Sequence, residues 1–332
     1  MSTRAPFALI WTQADHAQGM GDLFSSLAIA RALRRRGRCT IVAVNEGSFI
    51  KTLPSDVQDY LLPVASASSP AALREMVRAY DPAVLVLNRM ANGPRLLDAA
   101  VRSASVVVSI DDRGPDAALV PHRLYPLYPP SGFRGPRGPA IVPLGNRPRR
   151  AHRSVPVSAD RVLVTQGGAD TQGFTPLILR AIGDLPRLSR IDVVLGPLFR
   201  HERQLAAALA SIGGKAVVHR NPPRFHDLMR RASLAITAGG LTLFELAYLG
   251  VPSVTVANER FEVATAALFD AQGATVNLGY GGDLRSARLR GAVERLAADS
   301  VRRRRMARDA RRLVDGRGAE RIADLVTQWG RS

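Results

Sequence analysis

Chemistry in this chain has to come from a few short loops that combine glycine with a carboxylate or an imidazole. One is Thr12-Gln-Ala-Asp-His-Ala-Gln-Gly-Met-Gly-Asp22, which holds His16, Gly19, Gly21 and Asp22. A carboxylate accepts a proton from an attacking hydroxyl once burial or a like charge lifts its pKa towards neutrality, and histidine titrates there unaided. Asp22 is therefore a candidate general base, with His16 as the spare. The competing readings are a helix N-cap for Asp22 and a solvated loop position for His16. A second stretch, Thr237-Ala-Gly-Gly-Leu-Thr-Leu-Phe-Glu245, places Gly239 and Gly240 before a helix-compatible run closed by Gly250 and Pro252. Glycine admits close backbone approach, and the N–H groups and dipole at a helix start attract phosphate. Glu245, one turn into that helix, can accept hydrogen bonds from sugar hydroxyls. The plainer alternative is a tight turn with a solvated Glu245.

Other polar positions carry less. Asp111 and Asp112 end an apolar run and suit either substrate contact or capping of the next turn; Asp170 suits a helix cap or a sugar hydroxyl. His201, His219 and His226 lack metal-ligand spacing, and Ser25, Ser26 and Cys39 form no triad, so neither metal nor cofactor is expected.

The elements that must position these loops follow from apolar periodicity. Phe7–Trp11 reads as a strand, 23–33 as a helix and Thr40–Val44 as the next strand, a βαβ opening with a glycine loop at the carboxyl edge, where ligands sit in doubly wound sheets. Helices over 71–79 and 94–103 alternate with strands over 83–87 and 105–110. Their continuous apolar character predicts a parallel sheet covered on both faces. Residues 121–156 are rich in proline and glycine, and Arg147-Pro-Arg-Arg-Ala-His-Arg153 is basic and unpatterned, which places the domain connection there. A second α/β series follows: strand 161–165 leading to Gly167-Gly168, then strands at 191–195, 216–218, 234–236 and 253–257 between helices. An Arg-rich helical tail runs from Leu284 to Trp329. The expectation is two domains, 1–150 and 151–332, whose glycine loops face a common cleft.

The 332 residues carry 46 Lys and Arg against 28 Asp and Glu, a net charge of +18 that favours anionic partners. Nucleic acid is set aside as the main one, because aromatics are only 5% and the arginines are spread over many segments. The clusters Arg34–Arg36 and Arg302–Arg305 read as solvated helix faces, with peripheral docking on anionic membrane as a second reading for Arg302 to Arg312. The single Cys39, in a strand-like run, reads as buried filler in a reducing compartment. The apolar segment near the N-terminus is too short for a signal peptide, and no run of about 18 apolar residues occurs, so a cytoplasmic protein is expected.

The stretch Ala238-Gly-Gly-Leu-Thr-Leu-Phe-Glu-Leu-Ala-Tyr-Leu-Gly-Val-Pro-Ser253, followed by Asn258-Glu259 and Gly273-Ala-Thr-Val-Asn-Leu-Gly279, resembles the GT-B nucleotide-sugar enzymes related to MurG. It is closer still to the pseudaminic-acid pathway UDP-sugar hydrolase and its spore-coat glycosyltransferase relatives. Gln13-Ala-Asp15 with Gly19-Met-Gly21, Ser109-Ile-Asp-Asp112 and Gly167-Gly168-Ala-Asp170 extend the resemblance along nearly the whole chain. It implies a GT-B fold of two Rossmann-like domains, the first for acceptor and catalysis, the second for a UDP-sugar. By the same resemblance, Gly239, Gly240 and Thr242 would meet the diphosphate, Glu245 the ribose, and Asn258 and Glu259 the sugar. Two departures bear on the reaction: Asp22 stands where the hydrolase has a histidine base, and Met90 where it has a tyrosine. The resemblance thus implies glycosyl transfer in bacterial surface or flagellin glycan synthesis of the pseudaminic type. Hydrolysis of a UDP-diacetamido sugar and a non-catalytic sugar-nucleotide binder are the alternatives. The sugar, the acceptor and the oligomeric state are left open by the sequence.

Overall fold

A computed structural model describes residues 7–17, 19–145 and 154–330. The basic stretch 147–153, read as part of the domain connection, lies outside these. The chain divides into two compact units, Met1–Asn146 with Gly316–Ser332, and Arg147–Asp315.

The first unit runs β1 (Ala8–Thr12), α1 (Gly21–Arg35), β2 (Thr40–Asn45), α2 (Ser55–Gln58), β3 (Leu61–Val64), α3 (Pro70–Tyr80), β4 (Val84–Asn88), α4 (Pro94–Ser103), β5 (Val107–Ile110) and β6 (His122–Leu124). Its sheet has the order β3-β2-β1-β4-β5-β6 with every neighbouring pair parallel. All five residues of β1 are buried, as are all five of β4. Such strands need cover on both faces, and the crossover helices provide it. On one face Leu9, Trp11, Leu85 and Leu87 pack with Leu96, Leu97 and Ala100 of α4.

The second unit repeats the plan. It comprises β7 (Arg161–Thr165), α5 (Phe174–Ile182), β8 (Arg190–Leu195), α6 (Glu202–Ala210), β9 (Ala216–Arg220), α7 (Phe225–Arg231), β10 (Leu234–Thr237), α8 (Leu241–Leu249), β11 (Ser253–Ala257), α9 (Glu262–Ala271), β12 (Val276–Tyr280), α10 (Ser286–Ala298) and α11 (Ser300–Leu313). The parallel sheet order is β12-β11-β10-β7-β8-β9. Val162, Val164, Ile191, Val193 and Ile236 share a core with Ile178 and Leu179 of α5 and Leu289 and Val293 of α10. In both sheets the strand order reverses beside the first strand, between β1 and β4 and between β7 and β10. Ligand crevices open there, outside the carboxyl ends of the strands.

The tail departs from the sequence expectation in one respect. It is helical as expected, in three helices, but the third, α12 (Gly318–Trp329), belongs to the first unit. The units therefore differ from a cut into 1–150 and 151–332. Arg35, exposed as expected, reaches Glu320 at 3.1 Å, partly buried Arg36 reaches Asp324 at 2.7 Å, and Trp329 stacks on His122 with ring centroids 4.5 Å apart. A Cβ at position 318 would overlap the Val142 carbonyl, so only glycine lets the helix approach this closely. Arg303 is a correction to the solvated arginine faces. It is 0% exposed, and its guanidinium donates to the carbonyls of Leu296, Ala297, Pro156 and Val157 at 2.6 to 3.1 Å. Cys39, expected to be buried, is exposed just before β2.

Candidate functional site

At the reversal point of the first sheet, β1 leads through residues 13–20 into α1, and β4 ends at Asn88. The Asn88 amide joins the two, donating to the Asp22 carbonyl at 2.9 Å, Ser25 Oγ at 2.7 Å and Ser26 Oγ at 2.8 Å. This fixes the start of α1 on the sheet. Asp22 is the second residue of α1, whose N-cap position is Met20, so Asp22 does not cap its helix. Its Oδ2 instead accepts the Met90 N–H at 3.3 Å. Desolvation first, then the charge of Asp111, raises the Asp22 carboxyl to about 7, against the Met90 hydrogen bond and the Arg89 cation. Arg89 is buried and donates to Gln13 and to Ser68, with Ala67 accepting at 2.8 Å. Gln13 in turn donates to Asp15 at 2.6 Å, and Gly19 N–H donates to the Asp15 carbonyl at 2.8 Å with φ at +77°, closing the loop that carries His16. His16 is partly exposed in that loop, and Gly21 opens α1.

Asp111 and Asp112 both anchor loops. Asp111, at φ +52°, accepts the N–H groups of Leu127 and Tyr128 at 3.1 Å, and desolvation raises it to about 7 despite these bonds. Asp112 accepts from Gly114 N–H at 2.9 Å and the Asn92 amide at 2.8 Å.

At the reversal point of the second sheet, Gly239 and Gly240 link β10 to α8. Gly240 is the N-cap of α8 and, as a glycine, has no side chain with which to cap it, so the first N–H groups of that helix are left to other partners. The Gly239 N–H is already taken: it donates to Glu262 Oε2 at 3.2 Å, which leaves Gly240 and the first turn with Thr242 as the donors for an anion. A Cβ on Gly239 would lie 2.8 Å from Glu262, so close approach is the reason for glycine there. Glu245 faces His226 of α7 at 3.4 Å; burial opposes the imidazolium, but the carboxylate outweighs it and raises the His226 pKa. Glu259 accepts from Thr171 and Gln172, and the Asn258 amide donates to Thr171 at 2.9 Å. The 258–259 turn is thereby tied to the loop after β7. In that loop Gly167 takes φ +78°, Gly168 lies against Gly196, and Asp170 caps α5 by accepting Phe174 and Thr175 N–H at 2.8 and 2.9 Å.

Asn258, which the resemblance sets against the sugar, is joined by groups that escaped the sequence reading. Gln166, Thr237 and Asn258 lie at the carboxyl ends of β7, β10 and β11, each at most 5% exposed. The Gln166 amide, the Thr237 hydroxyl and Asn258 Oδ1 make no hydrogen bond within the chain. Buried polar atoms need partners, so three such side chains around one sheet reversal make this a candidate ligand site. Glu262 is the other, since an acid at a helix start reads as an ordinary dipole partner until its backbone contacts are seen. Among the described residues no cluster of His, Cys, Asp and Glu is arranged to hold a metal ion.

No protein-family model matches the chain. The spore coat polysaccharide biosynthesis protein SpsG of Bacillus subtilis (strain 168) is 26% identical over 167 residues, 50% of this chain and 49% of its own length. The chain thus spans about half the length of that relative. The UDP-N-acetylglucosamine–N-acetylmuramyl-(pentapeptide) pyrophosphoryl-undecaprenol N-acetylglucosamine transferase of Xanthomonas oryzae pv. oryzae is 27% identical over 349 aligned positions, 93% of this chain and 77% of its own. The crystal structure of Acinetobacter baumannii MurG superposes with a TM-score of 0.66 at 15% identity, covering 97% of this chain and 99% of that one. With its two six-stranded parallel sheets, the chain has the GT-B fold and is similar to the MurG-like transferases and to SpsG.

Proposed function

We propose that the protein is a glycosyltransferase that moves a sugar from a UDP-sugar to an acceptor hydroxyl by single displacement. The observation that carries this reading is the start of α8 at Gly240, which has no side chain of its own to cap it, set beside three side chains with buried polar atoms that make no hydrogen bond within the chain at the reversal of the second sheet. A diphosphate finds N–H donors and the positive end of a helix dipole there. Gly240 and Thr242 hold the diphosphate, Glu245 the ribose hydroxyls, and Asn258 and Glu259 the sugar. Asp22 takes the proton of the acceptor hydroxyl as its oxygen bonds to the anomeric carbon. The bond from that carbon to the diphosphate oxygen breaks, and the electron pair leaves with UDP, stabilised by the α8 terminus. A carboxyl titrating near 7 suits this role, because it is both present as base and able to hold the proton at neutral pH.

Similarity to SpsG supports a bacterial surface polysaccharide as the product, and the pattern of motifs supports a nonulosonic or flagellin-type glycan made in the cytoplasm. Hydrolysis is the second reading, since a carboxyl near 7 can take a proton from water as well as from an acceptor hydroxyl. Following UDP release from UDP-sugars distinguishes the outcomes. Release that requires an acceptor hydroxyl is expected. Equal release without acceptor makes the protein a hydrolase, and intact UDP binding without release makes it a binder.

A further inference from the structure

Glu262 does something that neither the fold nor the proposed reaction requires of it. A single carboxylate oxygen, Oε2, accepts three backbone N–H groups, from Gly239 at 3.2 Å, Asn258 at 2.7 Å and Glu259 at 3.3 Å. These donors come from the two turns that leave β10 and β11. One turn opens α8, and the other carries Asn258 and Glu259. The contact is also close in the steric sense, since a Cβ on Gly239 would sit 2.8 Å from both Glu262 Cβ and its carbonyl. Glu262 is 8% exposed, so its charge has these three dipoles in place of water.

We propose that Glu262 is the positioning residue of the nucleotide site, holding the 238–240 and 258–259 turns as one frame and taking up a proton when a diphosphate docks. The inference rests on the nucleotide reading of α8. Its physical basis is like-charge repulsion. Gly239 is the residue before the helix N-cap, so a diphosphate at the start of α8 lies about one peptide from the carboxylate. A dianion at that range in a dry site disfavours a second negative charge. Protonation relieves it at little structural cost, because Oε2 can keep accepting N–H bonds while the other oxygen carries the proton.

The surrounding charges point the same way. Desolvation raises Glu262 to about 7 against its three N–H bonds, and the Glu259 carboxylate adds to the rise. Glu259 is itself engaged by Thr171 and Gln172, Arg260 is drawn to Asp283 at 3.3 Å and stacked over Tyr280, and Glu245 is matched by His226. No counter-ion for Glu262 appears among these pairs. The carboxyl is thus poised where a small added repulsion moves a proton at neutral pH.

The test is calorimetric titration of the full chain with UDP-N-acetylglucosamine, whose diester phosphates hold constant charge through the range. Measurements between about pH 6 and pH 8, in two buffers of different ionisation enthalpy, report proton uptake directly. The wild type is expected to take up a fraction of a proton on binding and to lose affinity by up to about tenfold across that interval. Glu262→Gln keeps an acceptor in place of Oε2, and it should bind with no uptake and a flat pH profile. His226→Gln should retain the uptake. Binding by the wild type without proton uptake, or uptake that persists in Glu262→Gln, overturns the inference and leaves the nucleotide site standing. Absence of any binding by the wild type overturns both. Should Glu262→Gln fail to fold, absence of uptake in the wild type still overturns the claim, and uptake retained in both His226→Gln and Asp22→Asn supports it; uptake lost in either overturns it.

Discussion

Asp22 and Asp111 show how neighbouring carboxyls acquire different duties. Asp22 retains some exposure beside Met90, while Asp111 is 4% exposed and spends its oxygens on Leu127 and Tyr128 N–H. Replacement of Asp22 by Asn should lower turnover by roughly 10²- to 10⁴-fold while UDP affinity holds, checked by steady-state kinetics beside calorimetry. Unaltered turnover would remove Asp22 as base. Asp111→Asn keeps a residue type that tolerates φ +52° and deletes the charge that helps raise Asp22. The acidic limb of the pH–rate profile should therefore move to lower pH; a limb that stays put contradicts the coupling. Asp22 was legible in the sequence because it follows two glycines at the end of a βα loop. Glu262 was not, because its partners are backbone groups 3 to 23 residues away, brought together only by the sheet.

The elements divide along the same line. Central strands such as β1, β4, β7 and β10 are readable as apolar runs because both faces are covered. Those missed are at the margins: β3 contains Pro63 and β12 contains Gly279, and β3, β6 and β12 are all edge strands. An edge strand lacks the full burial that writes a continuous apolar signal. The turn after β7 was read for its glycines, yet the constraint on Gly168 comes from Gly196, whose added Cβ would overlap the Gly168 backbone. Gly196→Ala should cost roughly 1–3 kcal/mol and disturb the 166–170 loop, since backbone faces backbone and neither side can step aside. Thermal denaturation measures it, and an unchanged midpoint would mean the loop has slack that the contact denies.

At the scale of the molecule, the repeated α/β architecture was legible in the alternation of elements, but the strand order and the return of α12 to the first unit were not. Nothing local in Gly318–Trp329 names its partner; the ion pairs with Arg35 and Arg36 do so only once folded. Arg303→Met should lower stability by roughly 2–4 kcal/mol, because four carbonyls lose a charged donor in a dry site. Three carboxyls, Asp22, Asp111 and Glu262, sit near 7 in the folded chain, well above their unfolded values near 4. Between about pH 4 and 7 the folded state thus holds protons that the unfolded chain has released. Stability should fall as pH rises through this window and level off above it. Urea midpoints taken across it check the sign, and a midpoint that climbs instead would deny that these groups are buried as acids.

The central claim is that the start of α8 grips a uridine diphosphate with Glu245 on its ribose. Titration of UDP into the wild type and Glu245→Ala, with circular dichroism to confirm the fold, tests it most directly. The account predicts one site per chain whose affinity drops by roughly tenfold or more in the variant, as expected when hydrogen bonds to a charged acceptor are lost. Equal affinity in the two proteins would contradict it.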